Sequence, residues 1–154
     1  FRLIALDVLQ AAKKYVKKLN GGEFGAQIFT RSAVTSDAFA QLPSYVQKRL
    51  TGHYGMDVDA LLAMAREDEL EVIPGARAIW AELRWAAANE AVVHLDDLLL
   101  RRTRLGLLLP QGGMQFEDKI RAVCAEELGW SEQQWAEEKA RYQSIWEKHY
   151  GVPA

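Results

Sequence analysis

The sequence predicts an all-α fold, a single helical domain of about six or seven helices arranged around a central helix pair. Apolar residues recur at intervals of three and four through most of the 154-residue chain, which is typical of helices that bury one face. The alternating, β-branched pattern of a strand does not occur. Capping residues and glycines separate the apolar stretches at helical lengths.

Composition places the chain among ordinary globular domains. Hydrophobic residues make up 49% and charged residues 26% of the sequence, and the length suits one domain. A net charge of −2 gives no support for a nucleic-acid-binding surface. The single cysteine, Cys124, cannot form an intrachain disulfide and lies on an apolar stripe, so we expect a buried, inert thiol.

The chain opens on a helix predicted to span residues 1–20 and to end at Asn20-Gly21-Gly22. One face is apolar, and the other carries Lys13, Lys14, Lys17 and Lys18. Such a basic face can lie on an anionic membrane, although a solvated face is the more common interpretation. Because Phe1 already lies inside the helical pattern, we expect the chain to be a piece of a longer protein.

Residues 21–41 hold no clear period and are predicted to be mostly loop, with a short helical turn after Ser36. A helix follows Pro43 and stops at Tyr54-Gly55, and another begins at Asp57 or Asp59. A turn is predicted at Ile73-Pro74-Gly75, just before the central helix pair.

The C-terminal part contains two further helices. The first carries an apolar stripe from Phe116 to Leu128, and Gly129 ends it. The second has the clearest start in the sequence: Ser131 and Gln134 match a capping box, and Trp130 and Trp135 match the hydrophobic staple around it.

The central pair occupies Ala76 to Pro110 and is predicted to be two helices separated by a short break near Val93-His94. Glu90 falls on the apolar stripe of the first helix, and Arg102 falls on the leucine stripe of the second. An unpaired buried charge is too unfavourable to persist, so each needs a partner. If the helices fold back on one another, the two side chains are offset by roughly one turn, about 5 Å, which an arginine can span.

We therefore predict a structural network of Glu90, Asp97, Arg101 and Arg102 that ties the two helices together. Asp97 and Arg101 add a pair at a spacing of four residues. The alternative is that the Arg-Arg-Thr-Arg run is simply a solvated basic face.

Residues for catalysis are hard to find. The three histidines are far apart, and none shows metal-ligand spacing with Cys124. His94 sits where a helix cap belongs, and Glu82 and Arg84 are expected to be surface charges. We therefore assign no catalytic, cofactor-binding or metal-binding residue to this chain.

The stretch AELRWAAANEAVVHLDDLLLRRTRLGLLL resembles the C-terminal region of the FAD-dependent glycerol-3-phosphate dehydrogenases. In that family a helix with a Glu-Leu pair and an aromatic residue leads to a Glu, then a short break, then Asp-Asp-x-Leu-x-Arg-Arg-Thr. The matching positions here are Glu82, Leu83, Trp85, Glu90, Asp96, Asp97, Leu98 (displaced by one), Arg101, Arg102 and Thr103.

The resemblance implies a parent enzyme that oxidises sn-glycerol 3-phosphate to dihydroxyacetone phosphate, with hydride passing to FAD and electrons then to a quinone, or to oxygen in related oxidases. Such quinone-linked enzymes are peripheral on the cytoplasmic face of the membrane. This chain would be the helical cap domain, with residues 1–20 a linker helix from an N-terminal flavin domain. By itself it would bind no FAD and would be inactive.

The expected partners are therefore the flavin domain, a quinone, the membrane surface and, in a homodimer, a second copy of the chain. The alternative is a free-standing helical protein-interaction module whose exposed aromatic side chains bind a partner. The coding sequence upstream of Phe1 would distinguish the two, since only a cap domain would follow a dinucleotide-binding fingerprint.

Overall fold

The computed structural model describes residues 1–16 and 33–151, apart from the side chain of Glu67. In this part of the chain every regular element is helical, and strand pairing is limited to one isolated antiparallel bridge between Val72 and Ile79. The predicted all-α class is confirmed. The chain divides into two compact units, residues 1–31 and 32–154.

The first unit contains helix α1, Arg2–Ala12. Leu6 is buried, whereas Ile4 and Val8 of the predicted apolar face are exposed. The predicted helix extended to residue 20, but regular α-helix ends at Ala12 and a turn follows. Lys17, Lys18 and the predicted stop at Asn20-Gly21-Gly22 lie outside the described residues.

The second unit begins with three helices: α2 (Asp37–Gln41), α3 (Ser44–Tyr54) and α4 (Val58–Met64). Of the predicted loop 21–41, residues 33–36 have no regular structure, residues 37–41 form α2, and residues 21–32 lie outside the described part. The Asp59 carboxylate accepts hydrogen bonds from the backbone N–H groups of Thr35 and Ser36, which anchors this segment to α4. These helices share an apolar cluster of Leu42, Val46, Leu50, Val58, Leu61, Leu62, Ile79 and Ala81.

Helix α5 (Ala81–Asn89) lies between this cluster and a larger one. Leu83, Ala86 and Ala87 pack into the larger cluster, whereas Trp85 packs against the smaller one. Because apolar groups cover it on two sides, α5 also buries its polar positions Glu82 and Arg84. It is therefore the central helix of the unit.

The chain then turns through Ala91, a left-handed residue, and becomes helical again at Leu95. Asp97–Arg102 winds with wide π-type turns, in which the N–H of Thr103 donates to the carbonyl of Leu98, five residues back, at 3.0 Å. Helix α6 (Leu105–Leu108), a kinked segment of short turns (Pro110–Phe116) with left-handed residues at its centre, α7 (Glu117–Leu128) and α8 (Glu132–His149) complete the unit.

The start of α8 confirms the predicted Ser131 cap and the tryptophan staple, while the side chain of Gln134 makes no hydrogen bond back to Ser131 among the described contacts. Ser131 Oγ accepts a hydrogen bond from the N–H of Gln134 at 3.1 Å, and the rings of Trp130 and Trp135 lie 5.4 Å apart. Further along, the Tyr142 hydroxyl donates to the carbonyl of Gly112 at 2.6 Å. The first two contacts set where α8 begins, and the third holds its middle against the Pro110–Phe116 segment.

A close approach explains the glycine in α6. A Cβ added to Gly106 would lie 2.3 Å from the Tyr142 hydroxyl oxygen and 2.9 Å from Cδ2 of Leu100. The Trp146 indole N–H donates to the Gly106 carbonyl at 2.8 Å. Gly106 therefore allows α8 to pack directly on the backbone of α6.

The described residues contain eight α-helices, more than the six or seven expected. Two short elements account for the difference: α2, which is the helical turn predicted after Ser36, and α6, which is a separate helix within the predicted second half of the central pair. Among the described helices, none combines the length and apolar character needed to cross a membrane.

Candidate functional site

The predicted residues lie where α5 ends and the next helical segment begins. Arg102 Nε donates to the backbone carbonyl of Glu90 at 2.6 Å, so the two residues meet across the break. The acceptor in this contact is the backbone carbonyl of Glu90, whereas the sequence predicted its side-chain carboxylate. Both residues are half-buried.

Asp97 caps the second segment. Its Oδ2 accepts from the N–H groups of Val93 and His94 at 3.2 and 2.9 Å, and its Oδ1 pairs with Arg101 Nη1 at 2.7 Å. Burial acts to raise the pKa of Asp97, but the two backbone hydrogen bonds and Arg101 outweigh it and hold the pKa below its ordinary value. The Asp97–Arg101 pair is therefore also a helix cap.

Asp96 is the buried acid of this region, and the sequence reasoning missed it. Its carboxylate is 1% exposed and pairs with Arg101 on one side and with Arg141 of α8 on the other. Burial acts to raise the pKa of Asp96, and the two arginines together lower it below the usual range. An adjacent Asp-Asp pair is the only local signal, because Arg141 is distant in sequence.

Glu138 of α8 contacts the same junction. Its carboxylate lies 2.8 Å from Nδ1 of His94 and accepts from the N–H of Leu95 at 3.0 Å. His94 was expected to cap or to lie at the surface, and its ring is partly exposed while its backbone N–H is capped by Asp97. Acidic and basic side chains thus join α8 to the start of the π-type segment.

The deepest ion pair joins Arg84 of α5 to Glu69. Arg84 Nε and Nη2 donate to the two Glu69 oxygens at 2.8 and 2.7 Å, and both side chains are only 3% exposed. Arg84 Nη1 also donates to Glu127 of α7 at 3.0 Å. Arg84 was predicted to be a surface charge, and that prediction is wrong because α5 is packed on several sides.

Glu82 was also predicted to be exposed, and this too is wrong, since its side chain is 1% exposed. It accepts from Arg49 of α3, from the Tyr54 hydroxyl at 2.9 Å and from the N–H of Ile79 at 2.9 Å. Burial, followed by the Glu82 charge, raises the pKa of Tyr54, so this phenol stays protonated. Glu82 therefore joins α3 to the start of α5.

The remaining reactive group, Cys124, behaves as the sequence predicts. It is buried in the larger apolar cluster, and burial raises the pKa of its thiol to about 12. Among the described residues, His, Cys, Asp and Glu side chains do not form a group of three or more placed to hold a metal ion. Chemically, most of the charged groups described above form ion pairs and hydrogen bonds between helices.

The fold and these contacts define a class of protein: an all-α domain in which charged side chains, several of them buried, join elements distant in sequence. A known family matches the chain over residues 15–135 and is described as the C-terminal domain of alpha-glycerophosphate oxidase. The chain belongs to this family, which confirms the resemblance noted from the sequence.

Curated relatives of the chain support the same family. Glycerol-3-phosphate dehydrogenase 2 of Mycobacterium tuberculosis is 28% identical over 155 residues, covering 92% of this chain and 26% of the relative. Alpha-glycerophosphate oxidase of Lactococcus lactis is 30% identical over 141 residues, covering 89% of this chain and 22% of the relative. The chain thus spans about a quarter of the length of these relatives. Solved structures give no significant match.

Glu90→Gln should raise the thermal midpoint at neutral pH. Burial raises the pKa of Glu90 against the opposing charges of His53 and Arg102. A carboxyl group whose folded pKa is raised supports stability fully below its unfolded pKa, about 4.3, and loses that support as pH rises. The variant should therefore be more stable than wild type at pH 7, and the two should converge near pH 4.

The measurement is thermal unfolding at both pH values, with Glu137→Gln on the exposed face of α8 as the control. The predicted network implies the opposite result: if the Glu90 carboxylate pairs with Arg102, replacing it with an amide removes a stabilising interaction and lowers the thermal midpoint. A lower midpoint for Glu90→Gln at pH 7 would support the network of Glu90, Asp97, Arg101 and Arg102, which otherwise stays a prediction.

Proposed function

We propose that this domain is the non-catalytic helical cap of an FAD-dependent enzyme that oxidises sn-glycerol 3-phosphate to dihydroxyacetone phosphate. The family membership and the names of the relatives support the reaction. FAD would be held by an N-terminal flavin domain, which is the cap's main partner. Electrons would pass to a quinone, in keeping with the dehydrogenases among the relatives.

The observation that carries the non-catalytic role is how the buried charges are used. Four charged side chains are almost fully buried: Glu69, Glu82, Arg84 and Asp96. Each forms its hydrogen bonds or ion pairs with other residues of this chain. Catalytic acids and bases need polar atoms that face a substrate. Paired charges between helices instead suit a domain that supports a neighbouring catalytic domain.

Three further features of the parent enzyme belong to the same proposal. We place it in the cytoplasm, peripheral on the cytoplasmic face of the membrane, where a quinone is accessible. A homodimer is consistent with this arrangement. Lys13 and Lys14, which follow α1 in the structure, would suit an anionic lipid surface.

A domain exchange tests the proposal. The 154-residue chain would replace the aligned C-terminal segment of the M. tuberculosis relative, and the controls are that relative without its C-terminal segment and the 154-residue chain alone. Bound flavin and dye reduction driven by glycerol 3-phosphate are measured. We expect neither from the chain alone, and recovery in the exchanged enzyme of activity lost on truncation.

Flavin binding and glycerol 3-phosphate oxidation by the 154-residue chain alone would overturn the cap assignment. An exchanged enzyme no better than the truncated one would favour a free-standing interaction module.

A further inference from the structure

One face of α3 opens onto a pocket of about 490 Å³ in the second unit. The α3 residues lining it fall at helical spacings of three and four, and the turn before α5 supplies the opposite wall. The lining residues are Tyr45, Lys48, Arg49, Gly52, His53 and Arg77. Its side chains are thus three cations, a histidine and a phenol.

Two of the cations are available to a ligand. Lys48 and Arg77 are exposed, and within residues 33–151 neither takes part in an ion pair or a side-chain hydrogen bond. Arg49 forms an ion pair with the buried carboxylate of Glu82, which balances the charge of Arg49 and fixes its position. The half-buried Glu90 lies near His53, so the excess positive charge is concentrated at Lys48 and Arg77.

Gly52 is the second, independent observation. It lies within the last turn of α3, where glycine is less favourable than alanine, and the helix already ends on Gly55. A Cβ added to Gly52 would meet no atom within 4 Å among the described residues, so internal packing does not require glycine there. Because Gly52 lines the pocket, its missing side chain leaves room for a ligand between the flanking cationic side chains.

An adjoining pocket of about 480 Å³ shares Arg49 and Arg77 with the first. Its other walls are mostly apolar and come from the turn before α5, from the end of the π-type segment and from α6: Gly75, Ala76, Ala78, Thr103 and Leu108. The two pockets together therefore present a cationic end and an apolar end.

We propose that the cationic pocket binds the phosphate group of a small organic phosphate monoester, with the organic part extending into the adjoining apolar pocket. Arginine and lysine together suit a phosphate, since the guanidinium can donate two parallel hydrogen bonds and the ammonium adds a compact charge. The same phosphate chemistry could be presented by an anionic lipid headgroup. This site is separate from the proposed cap function and stands without it.

Titration calorimetry on the 154-residue chain tests the site, with inorganic phosphate, phenyl phosphate and acetate at matched ionic strength as probes. Vesicles of phosphatidylcholine with and without phosphatidic acid form a separate arm. The variants are Lys48→Gln, Arg77→Gln and Gly52→Ala, and exposed Lys148→Gln on α8 is the control for lost charge.

We expect phenyl phosphate to bind more tightly than inorganic phosphate, and acetate not to bind. Lys48→Gln and Arg77→Gln should each weaken binding about tenfold, as expected when a charged hydrogen bond is lost, while Lys148→Gln changes nothing. Gly52→Ala should weaken binding while raising the thermal midpoint, a combination that a damaged fold cannot produce.

Binding to phosphatidic acid vesicles alone, sensitive to Lys48→Gln and Arg77→Gln, would identify a lipid headgroup as the source of the phosphate. Absence of binding in every arm would overturn the proposal. Equal binding by wild type, Arg77→Gln and Lys148→Gln would also overturn it.

Discussion

Arg84→Ala should destabilise the second unit by about 3–5 kcal/mol, the loss expected when one partner of a buried ion pair is removed. Glu69 would keep its position almost fully out of solvent with only the N–H of Arg66 as a hydrogen-bond donor. Equilibrium unfolding in denaturant measures the change. The matched control is Arg66→Ala, which removes an exposed pair with Glu126 and should cost less than about 1 kcal/mol.

The same variant makes a prediction about pH. Burial acts to raise the pKa of Glu69, but hydrogen bonds from Arg84 and the Arg66 backbone bring it below its ordinary value. A lowered carboxyl pKa contributes stability above the unfolded pKa of about 4.3 and loses it as pH falls. The difference between wild type and Arg84→Ala should therefore narrow below about pH 4. If the difference in the free energy of unfolding stays the same at every pH, the destabilisation by Arg84→Ala comes from lost packing and not from the lost ion pair.

Glu82→Ala should cost about 3 kcal/mol or more, because it leaves the N–H of Ile79 and the hydroxyl of Tyr54 without their acceptor. Arg49 would also lose its partner, although its side chain can reach water. Glu82→Gln keeps one amide oxygen as an acceptor and should recover part of the loss. Denaturant unfolding of both variants checks this, and equal losses for Ala and Gln would show that the charge itself is what matters.

The sequence predicts best those features that depend on nearby residues. The capping residue Ser131 and the Trp130–Trp135 staple lie within five positions of one another, and the structure contains both. Likewise, Gly55 and Gly129 end the helices that precede them. Such signals are local because the hydrogen bonds that they report are local.

The buried charges escaped prediction for the opposite reason. Arg84 meets Glu69 and Glu127, which lie 15 and 43 positions away in the sequence. A helix packed on several sides has no polar face to separate buried charges from solvated ones, and periodicity therefore cannot identify them. The charges at Glu82 and Arg84 are recognised only once their partners are known.

The position of Arg102 shows a third limit. Its assignment to the leucine stripe assumed a regular 3.6-residue period, but the chain from Asp97 to Arg102 winds with π-type turns. Within this segment Leu100 is buried together with Leu98 and Leu99, while Arg102 is only half-buried.

The wide turn also affects how homologous chains are aligned. It holds one residue more than a regular turn of the same height, and each residue of an α-helix rotates the chain by about 100°. A homologue that lost one position between Leu98 and Thr103 could recover regular winding without moving the flanking helices. An ungapped comparison across that segment would then equate side chains that point in different directions.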